Sequence, residues 1–221
     1  MEEDQPKSWG YRAGPSDDLL KAIGQIMVNY SECERAIYSV FCNIMTLDQE
    51  AAYLLIKHAN LNAEKMSAII RAKIDSVKPS ILVAPLREGL DLFKSSIEHR
   101  NIVAHWQWAL TEGDTGLAFN SLKAKPDEPQ IGRAFDIVEL KTTGFRLIKA
   151  ATLINTVSIT MFEVRNQILA YPGWGPNSYS NRNVIDDWMI KVSLEMTRDN
   201  LDRVERALPR SVQPASGDKA Q

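Results

Sequence analysis

Three long segments carry apolar side chains at spacings of three and four, and this periodicity constrains the fold more than any other feature of the chain. From Asp18 to Thr46, positions such as Leu19, Leu20, Ile26, Tyr30, Ile37, Phe41 and Met45 follow it; from Pro85 to about His105, Leu86, Leu90, Phe93, Ile97 and Ala104; from Val138 to Ala170, Phe145, Ile148, Ala151, Ile154, Val157, Met161, Val164 and Ile168. Each pattern places one apolar stripe along a helix. Helices of this kind gain their stability by burying the stripe against one another, so a mainly α chain is expected.

Shorter signals fill the gaps. Asp48 to Ala59 is crowded with Ala51, Ala52, Leu54, Leu55 and Ile56 and reads as a short, well-buried helix, with His58 near its end in a packing or capping role. Asn62 reads as the cap of a helix to about Val77, stopped by Pro79, and Pro85 suits the first turn of the central helix. Trp106 to Leu110, Gly116 to Leu122 and Ala134 to Val138 hold β-forming residues separated by turn sequences, which predicts a small hairpin or three-stranded flap before the last long helix. The chain thus divides into a flexible leader over 1–17, a helical domain over 18–170 with its β insertion at about 106–138, a linker over 171–182, a C-terminal helix over 183–208 and a disordered tail over 209–221. Ile185, Trp188, Val192, Met196, Leu201 and Val204 form the apolar stripe of that last helix.

Composition narrows the class of protein. A hydrophobic share of 44% and a charged share of 24% describe a folded chain, and 221 residues suffice for one substantial core. The net charge of -2 gives no general attraction for a polyanion. Between Lys57 and Arg100, however, eight basic residues face five acidic ones, which permits a local basic groove. Cys33 and Cys42 lie on one helix about 13 Å apart by rise, too far to pair, and read as core thiols of a reducing compartment. Met1-Glu2-Glu3-Asp4 is acidic where a secretory signal is basic, and no apolar run approaches about 18 residues, so a cytoplasmic address without membrane attachment is expected. A glycine-rich phosphate loop, a Cys-x-x-Cys pair and a His-Glu-x-x-His are all missing, so no cofactor or metal is expected.

Chemistry concentrates in Glu98-His99-Arg100-Asn101-Ile102-Val103-Ala104-His105-Trp106-Gln107-Trp108, which holds two of the three histidines. On a helix Glu98, Asn101 and His105 share one strip, so Asn101 can orient the His105 ring. Arg100 lies about 140° around the axis from His105, so a single straight helix does not aim both at one point. A second copy could.

Arg-Asn-x-x-x-His at a helix end resembles the Rx4-6H signature of the HEPN superfamily (higher eukaryotes and prokaryotes nucleotide-binding). The resemblance implies a four-helix up-and-down bundle that forms a homodimer and, in many members, a metal-independent endoribonuclease site assembled from both protomers, in toxin–antitoxin, defence or RNA-processing roles. It implies RNA as substrate, and an antitoxin as a further partner in the toxin case. It also admits non-catalytic members that serve as dimerisation or nucleotide-binding modules. In the variant regulated by nucleotidylation a tyrosine stands two residues after the histidine; here that place is Gln107.

On this basis His105 is the candidate general acid or base, since imidazole exchanges protons near neutrality. Arg100 is the candidate phosphate-holding fork, and Asn101 the group that orients His105 or a phosphate oxygen. Glu98, Trp106 and Trp108 are candidate supporting or substrate-contacting residues, the tryptophans either stacking on bases or covering the core. His99, on another face, is left to structure. The competing reading makes Arg100, Asn101 and His105 a satisfied polar network that fastens a helix end.

Overall fold

The computed structural model describes residues 15–77, 80–109, 115–120, 132–170, 194–203 and 206. The chain is mainly helical, with a small three-stranded antiparallel sheet. Helices α1 (Asp17–Met45), α3 (Ala63–Lys73), α4 (Val83–His105) and α5 (Ile137–Ala170) enclose one core, and α2 (Gln49–Ala59) links the first two. The expected leader up to residue 14, Pro79, the linker, and most of the final helix and tail lie outside the described residues.

Local chemistry sets the helix limits. Ser16 caps α1 by accepting from Leu19 N, Asp48 caps α2 from Ala51 N, and Asn62 caps α3 from Lys65 N. At their C-terminal ends α1 and α2 stop at Thr46 and Asn60, both in the left-handed backbone region with φ of 56° and 48°. Asp136 Oδ1 accepts from Glu139 N at 2.6 Å and starts α5. That cap draws Ile137 and Val138, expected at the end of a strand, into the helix, and the last strand shifts toward the N-terminus.

The core stripe of α1 consists of Leu19, Ile26, Tyr30, Cys33, Ile37, Val40 and Phe41, while Leu20 and Met45 face outward, contrary to the expected stripe. Polar ties fix the register between α1 and α5: Asn29 Nδ2 donates to Gly144 O at 2.8 Å, Cys33 Sγ to Leu147 O at 3.1 Å, and Asn43 Nδ2 to Ser158 O at 3.2 Å. On α4, Leu86, Leu90 and Phe93 are sealed as expected, but Ala104 is exposed and Ile102 and Val103 are buried in its stead. Phe145, Ala151, Leu153, Ile154 and Val157 of α5 are buried; Val164 and Ile168 lie beyond its described side chains.

Other expectations fail as well. Helix α2 is not well buried: Ala52 is its one buried residue, whereas Tyr53, Leu54 and Leu55 are exposed. His58 is exposed as well and packs no core. Apolar density alone does not say what covers a helix. In the C-terminal helical stretch over 194–203, Leu194 and Leu201 are buried and Thr197 Oγ1 lies 3.4 Å from Thr156 Oγ1 of α5, so this stretch docks on its own domain. Met196, expected on the buried stripe, is exposed instead.

Strands β1 (Gln107–Ala109), β2 (Thr115–Phe119) and β3 (Gly132–Asp136) pair antiparallel in the order β1-β2-β3. Trp108, Ala118 and Arg133 form one cross-strand row, and Gly116 opposes Phe135 in the next. Side chains alternate between faces, so Trp108, Ala118, Arg133 and Phe135 share the face turned to the helices. Gly116 is required there, because a Cβ would fall 2.7 Å from the Trp108 ring.

One described stretch, Ile137–Phe162 of α5, is long and apolar enough to cross a bilayer by length and composition. Half of its key window is buried inside the fold, as in a core helix.

Candidate functional site

At the C-terminal end of α4 the helix, the N-terminal turn of α3 and the sheet border an open cavity of about 1200 Å³. Glu98, Asn101 and His105 line it together, as their shared strip requires, with Lys94 one turn earlier. Trp106, Glu64, Asn120 and Arg133 complete the polar and aromatic wall. His105 itself is exposed. Among the described residues no hydrogen bond joins Asn101 to His105; the Asn101 side-chain oxygen accepts from Arg100 Nη1 at 3.1 Å.

Arg100 is not among the described residues that line this cavity. Its guanidinium lies 4.1 Å from the centre of the Tyr30 ring on α1, a cation–π contact worth about 0.5–2 kcal/mol. Tyr30 in turn packs on Phe93. Burial pushes the Tyr30 hydroxyl above its ordinary pKa, Glu34 adds to the rise, and the Arg100 charge pulls the other way. Arg100 Nε is buried and has no hydrogen-bond partner. The helical geometry thus separates Arg100 from His105 as the sequence implied, and Asn101 bridges the two environments.

The two tryptophans part company. The strand begins only at Gln107, so Trp106 caps α4 and faces the cavity, while Trp108 turns inward. Its indole N–H donates to Val103 O at 3.3 Å and its ring lies 5.7 Å from that of Phe135. Trp108 therefore covers the core and holds the sheet to α4.

Sequence reasoning missed a charged cluster behind the motif. Arg133 Nη2 lies 2.7 Å from Glu139 Oε1 and 2.8 Å from His99 Nε2, and His99 Nε2 lies 3.0 Å from the same carboxylate oxygen. One ring nitrogen can donate to Glu139 or accept from Arg133, not both. The first choice leaves the buried, unpartnered Nδ1 as a bare acceptor rather than a stranded donor, and so suits the site better. Arg133 also lies 4.6 Å over the Phe135 ring, and its Nη1 is 3.5 Å from Glu98 Oε1. These residues stand 34 and 40 positions from His99. Only the alternation of Arg133 and Phe135 on one strand face hinted at them.

Among the described residues, part of the basic surplus between Lys57 and Arg100 is balanced by nearby carboxylates. Arg71 pairs with Asp91 at 2.8 Å, Arg87 lies 3.6 Å from Asp75, and the cavity wall sets Lys94 and Arg133 against Glu64 and Glu98. Among the described residues no group of three histidine, cysteine or carboxylate side chains is placed to hold a metal ion. Comparison with family models, curated proteins and solved structures gave no match for this chain.

Proposed function

We propose that the chain is a metal-independent endoribonuclease of HEPN type that acts as a homodimer, with the cavity at the end of α4 receiving the RNA strand. His105 exchanges the protons of 2′-hydroxyl attack, and Asn101 steers His105 or a phosphate oxygen. Arg100, supplied across the dimer axis, stabilises charge on the scissile phosphate. The observation that carries this reading is the exposed His105 on the wall of a 1200 Å³ cavity, with Asn101 and Glu98 beside it on one helical strip. A toxin or defence role, with an antitoxin as partner, follows from the same resemblance.

A second reading, a non-catalytic dimerisation or nucleotide-binding module, draws on Arg100, whose guanidinium is spent on Tyr30 and Asn101 inside its own subunit. Wild type and His105→Ala, incubated with RNA in EDTA, separate the two. The nuclease reading expects cleavage by wild type, products ending in a cyclic phosphate, and a loss of about a hundredfold or more in the variant. Equal cleavage by both proteins, or none by either, rejects it.

A further inference from the structure

Arg133 is the cation in the cavity wall that the surrounding structure holds most firmly. Its plane rests on Phe135, which is only 1% exposed, and its Nη2 is fixed by Glu139 on α5. What remains is Nη1, turned toward Glu98 at 3.5 Å across an ion pair whose carboxylate is 80% exposed. An exposed pair at that distance contributes little and is readily exchanged. The Glu139 contact is shorter and its side chain 32% exposed, so it persists and orients. A guanidinium immobilised on one edge and loosely held on the other loses little further freedom on meeting an oxyanion. Lys94, the other lysine or arginine among the described residues that line the cavity, is exposed and has no such support.

We propose that Arg133 is the anion-binding residue of this cavity, and that a phosphate group of a bound single strand displaces Glu98 from its Nη1 edge. The proposal rests on the reading of the cavity as a phosphate-bearing ligand's site. It adds a positively charged contact that the Arg-Asn-x-x-x-His stretch does not supply within one subunit. Glu98 then acts as a competing lid on Arg133 rather than as a partner of His105. Trp106 on the same wall offers a face for the neighbouring base.

The test is binding of a short, fluorescently labelled 2′-O-methyl RNA, which cannot be cleaved by 2′-hydroxyl attack, to the full chain across a salt series. Arg133→Gln is expected to weaken binding about tenfold or more and to flatten the salt dependence by about one phosphate contact. Glu98→Gln is expected to tighten binding roughly threefold in the native background and to have no effect once Arg133 is Gln, because the two act on one atom. If Arg133→Gln does not fold, Arg133→Lys, which keeps the charge and loses the fork, carries the same comparison and must weaken the Glu98→Gln effect. Tightening of equal size in both backgrounds means that Glu98 acts only through its general field, and overturns the inference. Unchanged binding by Arg133→Gln overturns it and leaves the cavity reading intact. Failure of the wild type to bind at low salt overturns both.

Discussion

At Gly89 α4 packs directly against α5, and adding one methyl group there tests the packing that carries the motif-bearing helix. A Cβ at this position would lie 2.7 Å from Ile154 Cγ1, 3.2 Å from Ala150 O and 3.3 Å from Leu153 Cβ. Ile154 is fully buried, and a β-branched side chain on a helix has one strongly preferred rotamer, so it cannot swing aside. The other two neighbours are a backbone oxygen and a Cβ; the helices themselves must part. Against this, alanine is favoured over glycine in a helix interior by about 1 kcal/mol, whereas overpacking a tight core costs about 1–3 kcal/mol. Because the contact is with backbone and a locked side chain, the upper part of that range applies and Gly89→Ala loses about 1–2 kcal/mol net. For a chain of this size the midpoint falls by roughly 2–8 °C. Gly24→Ala on α1, where a Cβ meets nothing within 4 Å, carries only the propensity gain and should raise the midpoint by roughly 2–4 °C. Thermal unfolding followed by far-ultraviolet circular dichroism reads both. A Gly89→Ala protein that melts at or above wild type, beside a stabilised Gly24→Ala, would refute the close α4–α5 contact.

Further outcomes follow from single contacts. Asp136→Ala removes the cap on α5 and should cost about 1 kcal/mol by urea unfolding, with Asp136→Asn recovering most of it; an unchanged midpoint contradicts the cap. Burial pushes the Cys33 thiol up to about 12, with Glu34 and Glu32 adding to the rise and a backbone hydrogen bond at Ala151 opposing it. A group with a raised folded pKa stabilises the fold fully below its unfolded value near 9 and loses that contribution as pH climbs toward 12. Wild type should therefore lose urea stability between pH 8 and about 10.5 more steeply than Cys33→Ala, and parallel slopes would contradict the burial. In the folded protein Cys33 should also resist alkylation at pH 8 while the unfolded chain reacts.

How much the sequence reveals depends on whether the deciding contact is local. The end of α4 at His105 is legible because helical spacing stops where Trp106-Gln107-Trp108 begins, and the strip of Glu98, Asn101 and His105 follows from helix geometry alone. The separation of Arg100 from His105 was legible for the same reason. Its destination on Tyr30 was not, because that ring belongs to another helix. Arg133 and Glu139 escaped notice because strand pairing and the Asp136 cap, not neighbouring residues, bring them behind His99. Helix α2 shows the opposite error: Leu54 and Leu55 look like core residues, yet no described segment covers them. The tryptophans divide because α4 runs to His105 and the strand begins only at Gln107, so Trp106 is a helix cap and only Trp108 takes a strand face.

The claim on which the functional account turns is that Arg100 and His105 cooperate between subunits, since within one subunit the first lies on Tyr30 and the second faces the cavity. The direct measurement mixes two inactive variants, Arg100→Ala and His105→Ala, exchanges their subunits, and assays RNA cleavage in EDTA. A shared site regenerates one intact Arg100–His105 pair in each mixed dimer and restores about a quarter of wild-type activity at equal mixing. If mixed dimers are verified and the mixture stays as inactive as either parent, the two residues do not work across the interface and the account fails.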